Sequence, residues 1–231
     1  MKFTLSPLGD CAIIIKIGDK IEPNNQSKVR AITVALDKAN PSWLVEYIPA
    51  FTAITVFYDV IKLPKNKPYD AIHNALCSIL KGLETDTNVR SQTIEIPVFY
   101  GGESGPDLAY VAKHNELAID DVIRIHTESV LDVNMIGFSP GFPYISGMSK
   151  KIATPRKSTP RLSIPARSVG IAGSQTGIYP IETPGGWQII GRTPTRLFRP
   201  DLENPSLLQA GDKIRFKSIS FEEFQQLEDN I

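Results

Sequence analysis

Between Ile136 and Phe198, Arg156, Arg161 and Arg192, three of the five arginines in that stretch, stand among Gln175, Thr176, Tyr179 and Trp187. Guanidinium groups grip planar anions such as carboxylate, carbamate or phosphate through paired N–H donors. The same stretch is braced by proline and glycine. It runs Gly137-Phe138-Ser139-Pro140-Gly141-Phe142-Pro143-Tyr144, then Thr154-Pro155-Arg156, Thr159-Pro160-Arg161 and Thr183-Pro184-Gly185-Gly186-Trp187. Proline fixes φ and glycine opens positive φ, so such loops hold fixed shapes at low entropic cost. The N–H groups of Gly185 and Gly186 are candidates for an anion nest. Phe142, Tyr144 and Trp187 are candidates for the walls around a flat ring. A barrel with many corners needs glycine and proline whatever it binds. It does not need three arginines beside a glutamine, a threonine and two large aromatics. The expectation is a cleft with a few convergent polar groups.

Other chemistries are excluded by spacing. Gly137-x-Ser139-x-Gly141 has the nucleophile-elbow pattern, but that elbow must lead straight into a helix. Pro140, Gly141, Pro143 and Gly147 forbid one, and the last histidine, His126, precedes the serine. Gly173-Ser174-Gln175-Thr176-Gly177 lacks the lysine of a phosphate loop. His73, His114 and His126 form no i, i+4 ligand pair, so no metal ligand set is expected. His126, near the end of a short helical segment, reads as a structural residue. Cys11 and Cys77 lie in apolar, periodic segments and read as buried reduced thiols.

The elements that must position these groups follow from hydrophobic period. Cys11–Ile17, Trp43–Ile48, Ala53–Tyr58 and Thr93–Phe99 read as strands. One helix carries Val29, Ile32, Leu36 and Ala39 on its apolar stripe, with Asn24 and Asn25 as caps. A second carries Ile72, Ala75, Leu76, Ile79 and Leu80 and closes at Gly82. The order β-α-β-β-α-β is that of a ferredoxin-like domain. Ser104-Gly105-Pro106-Asp107 reads as a capping box opening a short helix, and Asp120 and Asp121 suit the first turn of another. From Val130 onward short apolar runs separated by Gly and Pro predict a closed β-barrel, with a last helix over Ser220–Asp229. The expected class is therefore α+β, with domains over residues 1–92 and 93–231.

Composition sets the boundaries. The 231 residues carry 25 Lys and Arg against 25 Asp and Glu, so no basic surface for nucleic acid is implied. No apolar run approaches the roughly 20 residues that span a bilayer, which makes the cytoplasm the default compartment.

Motifs along nearly the whole chain resemble one family. They are Pro7-Leu8-Gly9-Asp10, Ile48-Pro49-Ala50-Phe51, Ile96-Pro97-Val98-Phe99-Tyr100-Gly101-Gly102, Pro106-Asp107-Leu108, Ile125-His126-Thr127 and the stretch from Ile136 to Phe198. The family contains the 5-oxoprolinase B subunit (PxpB), the kinase A inhibitor KipI and allophanate hydrolase subunit 1. The resemblance implies a small α/β domain followed by a cyclophilin-like barrel. It also implies a larger PxpC-like partner of the allophanate hydrolase subunit 2 family and a PxpA-like component. Together these open the lactam of 5-oxo-L-proline to L-glutamate with ATP. On that footing Arg156 and Arg161 hold the substrate carboxylate or developing phosphate charge, and Gln175, Thr176 and Tyr179 orient the amide. Gly185, Gly186 and Trp187 shape the floor, Phe142 and Tyr144 the wall, and Arg192 adds a further cation. A KipI-like inhibitor of a sporulation-type histidine kinase and an allophanate hydrolase or urea carboxylase-type subunit are the other functions in the family. The chain departs from the family at Arg167, where a small glycine is usual, and at Ala118, where a capping serine is commoner. If Arg167 stands at positive φ, its backbone is strained.

Overall fold

The computed structural model describes residues 2–20, 22–83 and 93–229, and the chain divides into two compact units, Met1–Arg90 and Ser91–Ile231. In the first, β1 (Thr4–Leu8) and β2 (Ala12–Lys16) precede α1 (Pro23–Ala39), and β3 (Leu44–Pro49) and β4 (Ala53–Tyr58) precede α2 (Pro68–Leu80). The sheet order is β1-β2-β4-β3, with every neighbouring pair antiparallel. Alternate residues Ile13, Ile15, Ile54 and Val56 are buried with Ile32 and Leu36 of α1 and Ile72 and Leu76 of α2. Each such side chain contributes roughly 1.5–3 kcal/mol by leaving water.

The element order corrects the expected β-α-β-β-α-β arrangement. The edge place beside β2 is filled by β1, an unexpected strand that contains Pro7. An edge strand tolerates proline, since its outward N–H has no ladder partner to lose. Thr93–Phe99, counted as the last strand of that order, is absent from this sheet and lies in the second unit. Asn24 and Asn25 do not cap α1. The helix starts at Pro23 after extended Glu22, and the Asn25 amide turns back to donate to the Lys20 carbonyl at 2.9 Å. Gly82, at φ +74°, follows α2 as anticipated. Both cysteines are free thiols, but Cys11, just before β2, is exposed and Cys77 half-buried.

The second unit contains β5 (Thr93–Tyr100), α3 (Leu108–His114), α4 (Ile119–Glu128), β6 (Leu131–Ile136), β7 (Pro143–Ser146), β8 (Arg161–Ile164) and β9 (Ser168–Ala172). After these come β10 (Gln175–Ile178), β11 (Thr183–Gly185), β12 (Gln188–Arg192), β13 (Lys213–Ser218) and α5 (Phe221–Asp229). Seven strands close a barrel in the order β10-β7-β6-β13-β5-β12-β9, and β9 returns to β10. β5 is locked in by parallel pairing with β13 and antiparallel pairing with β12, both from the carboxyl-terminal half. Val98, Val133, Ile145, Val169, Ile171, Ile178, Ile190 and Phe216 fill the interior, and α4 adds Val122 and Ile125. β8 and β11 form a separate two-stranded sheet. No helix among the described residues is long and apolar enough to cross a membrane.

One polar chain crosses this core. Thr176 Oγ1 donates to the Gly170 carbonyl at 3.0 Å, which uses its only proton. His126 Nε2, 2.9 Å away, must therefore donate to Thr176, leaving Nδ1 to accept from the Tyr100 hydroxyl at 2.7 Å. The imidazole stacks on Phe216, with centroids 4.3 Å apart, and burial lowers its pKa to about 3. His126 is a neutral structural bridge between β5 and β10.

Candidate functional site

Asp107 organises the polar surface of the second unit. The loop before α3 lies directly on β12. Gly105 permits this, since a Cβ there would stand 2.1 Å from the Ile190 carbonyl oxygen. The Asp107 N–H donates to the Ile189 carbonyl at 2.9 Å, and the Ile189 N–H donates back to Asp107 Oδ2 at 2.7 Å. The carboxylate thus completes a strand-like pairing and is not the helix cap the sequence suggested. Arg161, at the start of β8, places Nη1 and Nη2 each 2.8 Å from a different carboxylate oxygen. Lys157 Nζ reaches Oδ1 at 3.1 Å. Burial alone would push the Asp107 carboxyl up, but hydrogen bonds from Arg161, the Ile189 N–H and Lys157 outweigh it and hold the pKa below the ordinary value. The same pairing raises the Arg161 pKa.

The segment that follows the helical turn over Lys150–Ile152 is pinned beside β12. Lys157 N–H donates to the Gly186 carbonyl at 2.7 Å, and the Gln188 side-chain amide donates to the Pro155 carbonyl at 2.9 Å. Arg156 lies between these anchors with its guanidinium carbon 5.8 Å from the centroid of the Trp187 ring. Tyr110, Arg156, Lys157, Ser158, Thr159 and Gln188 surround a cleft of about 440 Å³ at Asp107. One carboxylate faces three cations, Arg156, Lys157 and Arg161, so the local charge is positive. Arg156 is exposed and, among the described residues, donates to no protein acceptor, whereas Arg161 and Lys157 are engaged by Asp107.

Beneath the cleft lies an aromatic layer. Phe142, Tyr179 and Trp187 are buried with Ile164, Ala172 and Ile189, and Tyr144 packs at the edge. Their rings meet edge to face, with centroids 5.2 Å apart for Phe142–Tyr179 and 5.5 Å for Phe142–Trp187. The layer sits on the outside of the barrel wall. On β10, Thr176 and Ile178 point inward, while Gly177 turns outward, where a Cβ would meet Phe142 Cζ and Trp187 Cζ3 at 3.0 Å. Gly170, its register partner on β9, meets the same rings' side of the wall through Trp187 Cβ at 3.2 Å. Burial pushes the Tyr179 hydroxyl pKa up to about 12, against the opposing effect of a backbone hydrogen bond from Trp187.

The expected site residues therefore separate. Arg156 lines the cleft, and Arg161 stands behind it, holding Asp107. Trp187 supports Arg156 from below. Phe142 and Tyr179 are packing residues of the aromatic layer, and Tyr144 is half-buried at its margin. Gly185 pairs with Arg161 in β11 and Gly186 offers its carbonyl to Lys157; neither has positive φ, so the backbone there does not form a nest. Thr176 faces the barrel interior. Gln175 is half-buried opposite Ala172, away from the cleft lining. Arg192, at the other end of β12 from Gln188, donates from Nε to the Ala166 carbonyl at 3.2 Å and lies 3.8 Å from Glu228. Asp107, Lys157 and Gln188 were not among the expected site residues. The usable signal for Asp107 was its place directly after Gly105-Pro106, a loop stiff enough to present a carboxylate to a neighbouring strand.

Arg167 stands at φ +70°, the strained conformation anticipated for a side chain at that position. It is held by an ion pair with Glu228 of α5 and by donation to the Pro194 carbonyl at 3.2 Å. Ala118 gives α4 an extended N-cap without a side-chain bond.

Comparison with known proteins places this geometry in a family. The model of the carboxyltransferase domain, subdomain C and D, matches residues 3–208. The chain is 46% identical to the 5-oxoprolinase B subunit of Bacillus subtilis over 97% of its own length and 96% of the relative's. A conserved uncharacterized protein of Pyrococcus horikoshii, PH0987, is 44% identical over 96% of this chain and 100% of that one, with a TM-score of 0.57. The crystal structure of TTHA0988 superposes with a TM-score of 0.79 at 32% identity, covering 90% of this chain but 40% of that longer one. The chain belongs to the carboxyltransferase-domain subdomain C and D family, in the group that includes the 5-oxoprolinase B subunits.

Proposed function

We propose that the chain is the B subunit of a heteromeric, ATP-dependent 5-oxoprolinase, which hydrolyses 5-oxo-L-proline to L-glutamate in the cytoplasm. The 46% identity to a 5-oxoprolinase B subunit over nearly the full length of both chains supports this reading. The observation that carries the chemistry is Arg156, a guanidinium fixed over Trp187 whose N–H donors are uncommitted in a cleft of net positive charge. In this reading the second unit, residues 93–231, is cyclophilin-like and supplies half of a site completed by a PxpC-like larger subunit, with a PxpA-like component in the full assembly.

A lactam carbonyl is a weak electrophile, and ATP hydrolysis supplies the driving force for adding water across its C–N bond. Arg156 takes the substrate carboxylate or the negative charge that develops on activation, and its donors act most strongly once the partner subunit closes the site from water. Arg161 is a positioning residue. It fixes Asp107, which holds β12 and Lys157, and these in turn hold Arg156 in place. Co-expression of the chain with the two partner subunits, followed by an assay of ATP-dependent glutamate release from 5-oxoproline, tests the proposal. Glutamate release only when this chain is present is the expected result. Equal release from the partners alone would overturn it.

A further inference from the structure

We infer that Gln188 is a substrate-binding residue that reads an N–H group next to the carboxylate held by Arg156. The inference rests on the proposed function and names the contact that selects a cyclic amide. Gln188 is 2% exposed and borders the cleft. Its amide nitrogen donates to the Pro155 carbonyl at 2.9 Å, which fixes the amide orientation, since a flip would set two oxygens against each other. The other end, Oε1, is buried and has no hydrogen-bond partner among the described residues. Such an oxygen is costly, and native structures leave few of them without a reason.

A donor is what this oxygen lacks. The surrounding cations are placed otherwise. Arg161 and Lys157 are bound to Asp107, and Arg156 is stacked on Trp187. The Pro155–Arg156 segment is tied to Gln188 by the bond to the Pro155 carbonyl, so acceptor and guanidinium are held in one local frame. A ligand suited to this pair carries a carboxylate for Arg156 and, on the adjacent carbon, an N–H for Gln188. Five-membered lactam acids have that arrangement. Arg156 is exposed and without a protein acceptor among the described residues, so its donors are available to the ligand's carboxylate.

The test uses the assembled complex and two ring acids of the same size, 5-oxoproline and the lactone in which oxygen replaces the ring N–H. Affinities are measured by calorimetry, independent of turnover. The wild-type complex should bind the lactam at least tenfold more tightly, as sites built around a hydrogen bond discriminate against analogues that lack it. Q188M should bring the two affinities to within about threefold. Q188N, which keeps an amide but withdraws it by one methylene, serves if Q188M does not assemble and should also collapse the ratio. Equal binding by the wild type, or an undiminished ratio in the variant, overturns the role of Gln188 while leaving the 5-oxoprolinase reading intact. No binding of 5-oxoproline at all overturns both. Discrimination without glutamate release overturns the reading of the reaction and keeps the contact.

Discussion

Arg161 and Asp107 form a bidentate pair, with two nitrogens of one guanidinium each 2.8 Å from a different oxygen of one buried carboxylate. The residues are far apart in sequence, and their pairing ties β8 to the loop that lies on β12. It converts what looked like a ligand-binding arginine into the support of the site, and leaves Arg156, among the described residues lining the cleft, as a cation without a protein acceptor.

Removing either partner should therefore unfold more than it disarms. Asp107→Ala strands Arg161 and Lys157 without their anion and leaves the Ile189 N–H unpaired. A loss of about 2–4 kcal/mol is expected, near the range for breaking a buried ion pair. Arg156→Ala gives up only a cation–π contact, worth about 0.5–1 kcal/mol, yet should lower activity of the assembled complex more than tenfold. Chemical unfolding and the glutamate assay on both variants make the comparison. Equal destabilisation by the two would contradict the division of roles.

The buried His126 makes stability depend on pH. Its folded pKa, about 3, lies below the ordinary 6.5, and the groups around it, Tyr100, Thr176 and Phe216, carry no charge at neutral pH. The unfolded chain binds a proton at this residue that the folded chain refuses. Stability from the neutral imidazole is thus fully present above pH 6.5 and is lost as pH falls toward 3, at up to about 1.4 kcal/mol per pH unit. His126→Gln should be less stable than the wild type at pH 7.5, and that gap should narrow by about 2 kcal/mol between pH 7.5 and 5. The depressed Asp107 carboxyl adds a second loss only at lower pH, as it titrates below its ordinary range.

At Arg167 two effects oppose each other. A left-handed backbone costs a non-glycine residue about 1 kcal/mol, while the ion pair with Glu228 offsets part of that cost. Arg167→Gly loses the pair and the strain together, whereas Arg167→Ala loses the pair and keeps the strain. The glycine variant should be the more stable of the two by about 1 kcal/mol, measured by thermal unfolding. The reverse order would mean the backbone is not strained there.

Gly185 tests the aromatic layer. A Cβ at this position would lie 2.4 Å from the Tyr179 hydroxyl oxygen and 2.8 Å from Ile164 Cδ1. Gly185→Ala should cost about 1–3 kcal/mol through overpacking and displace Trp187, visible as a change in near-ultraviolet circular dichroism. Unchanged stability and spectrum would show that the layer is loosely packed.

The sequence alone determined the two helices and inner strands of the first unit and the closed barrel of the second as a class, because hydrophobic period and Gly-Pro corners are local signals. It located the Pro-Arg and Gly-Gly-Trp loops of the site for the same reason. It counted Thr93–Phe99 into the β-α-β-β-α-β order while setting a domain boundary before it, since a strand's pattern records that one face is buried but not which partner pairs with its edges. It could not sort Arg156 from Arg161 and Arg192, which look alike in the chain and differ only in what stands opposite them. Asp107, distant in sequence from Arg161, decides that sorting, and only the folded barrel brings the two within hydrogen-bonding distance. The inward turn of Thr176 and the outward turn of Gly177, neighbours in sequence, are set the same way, by which side of the barrel wall each residue faces.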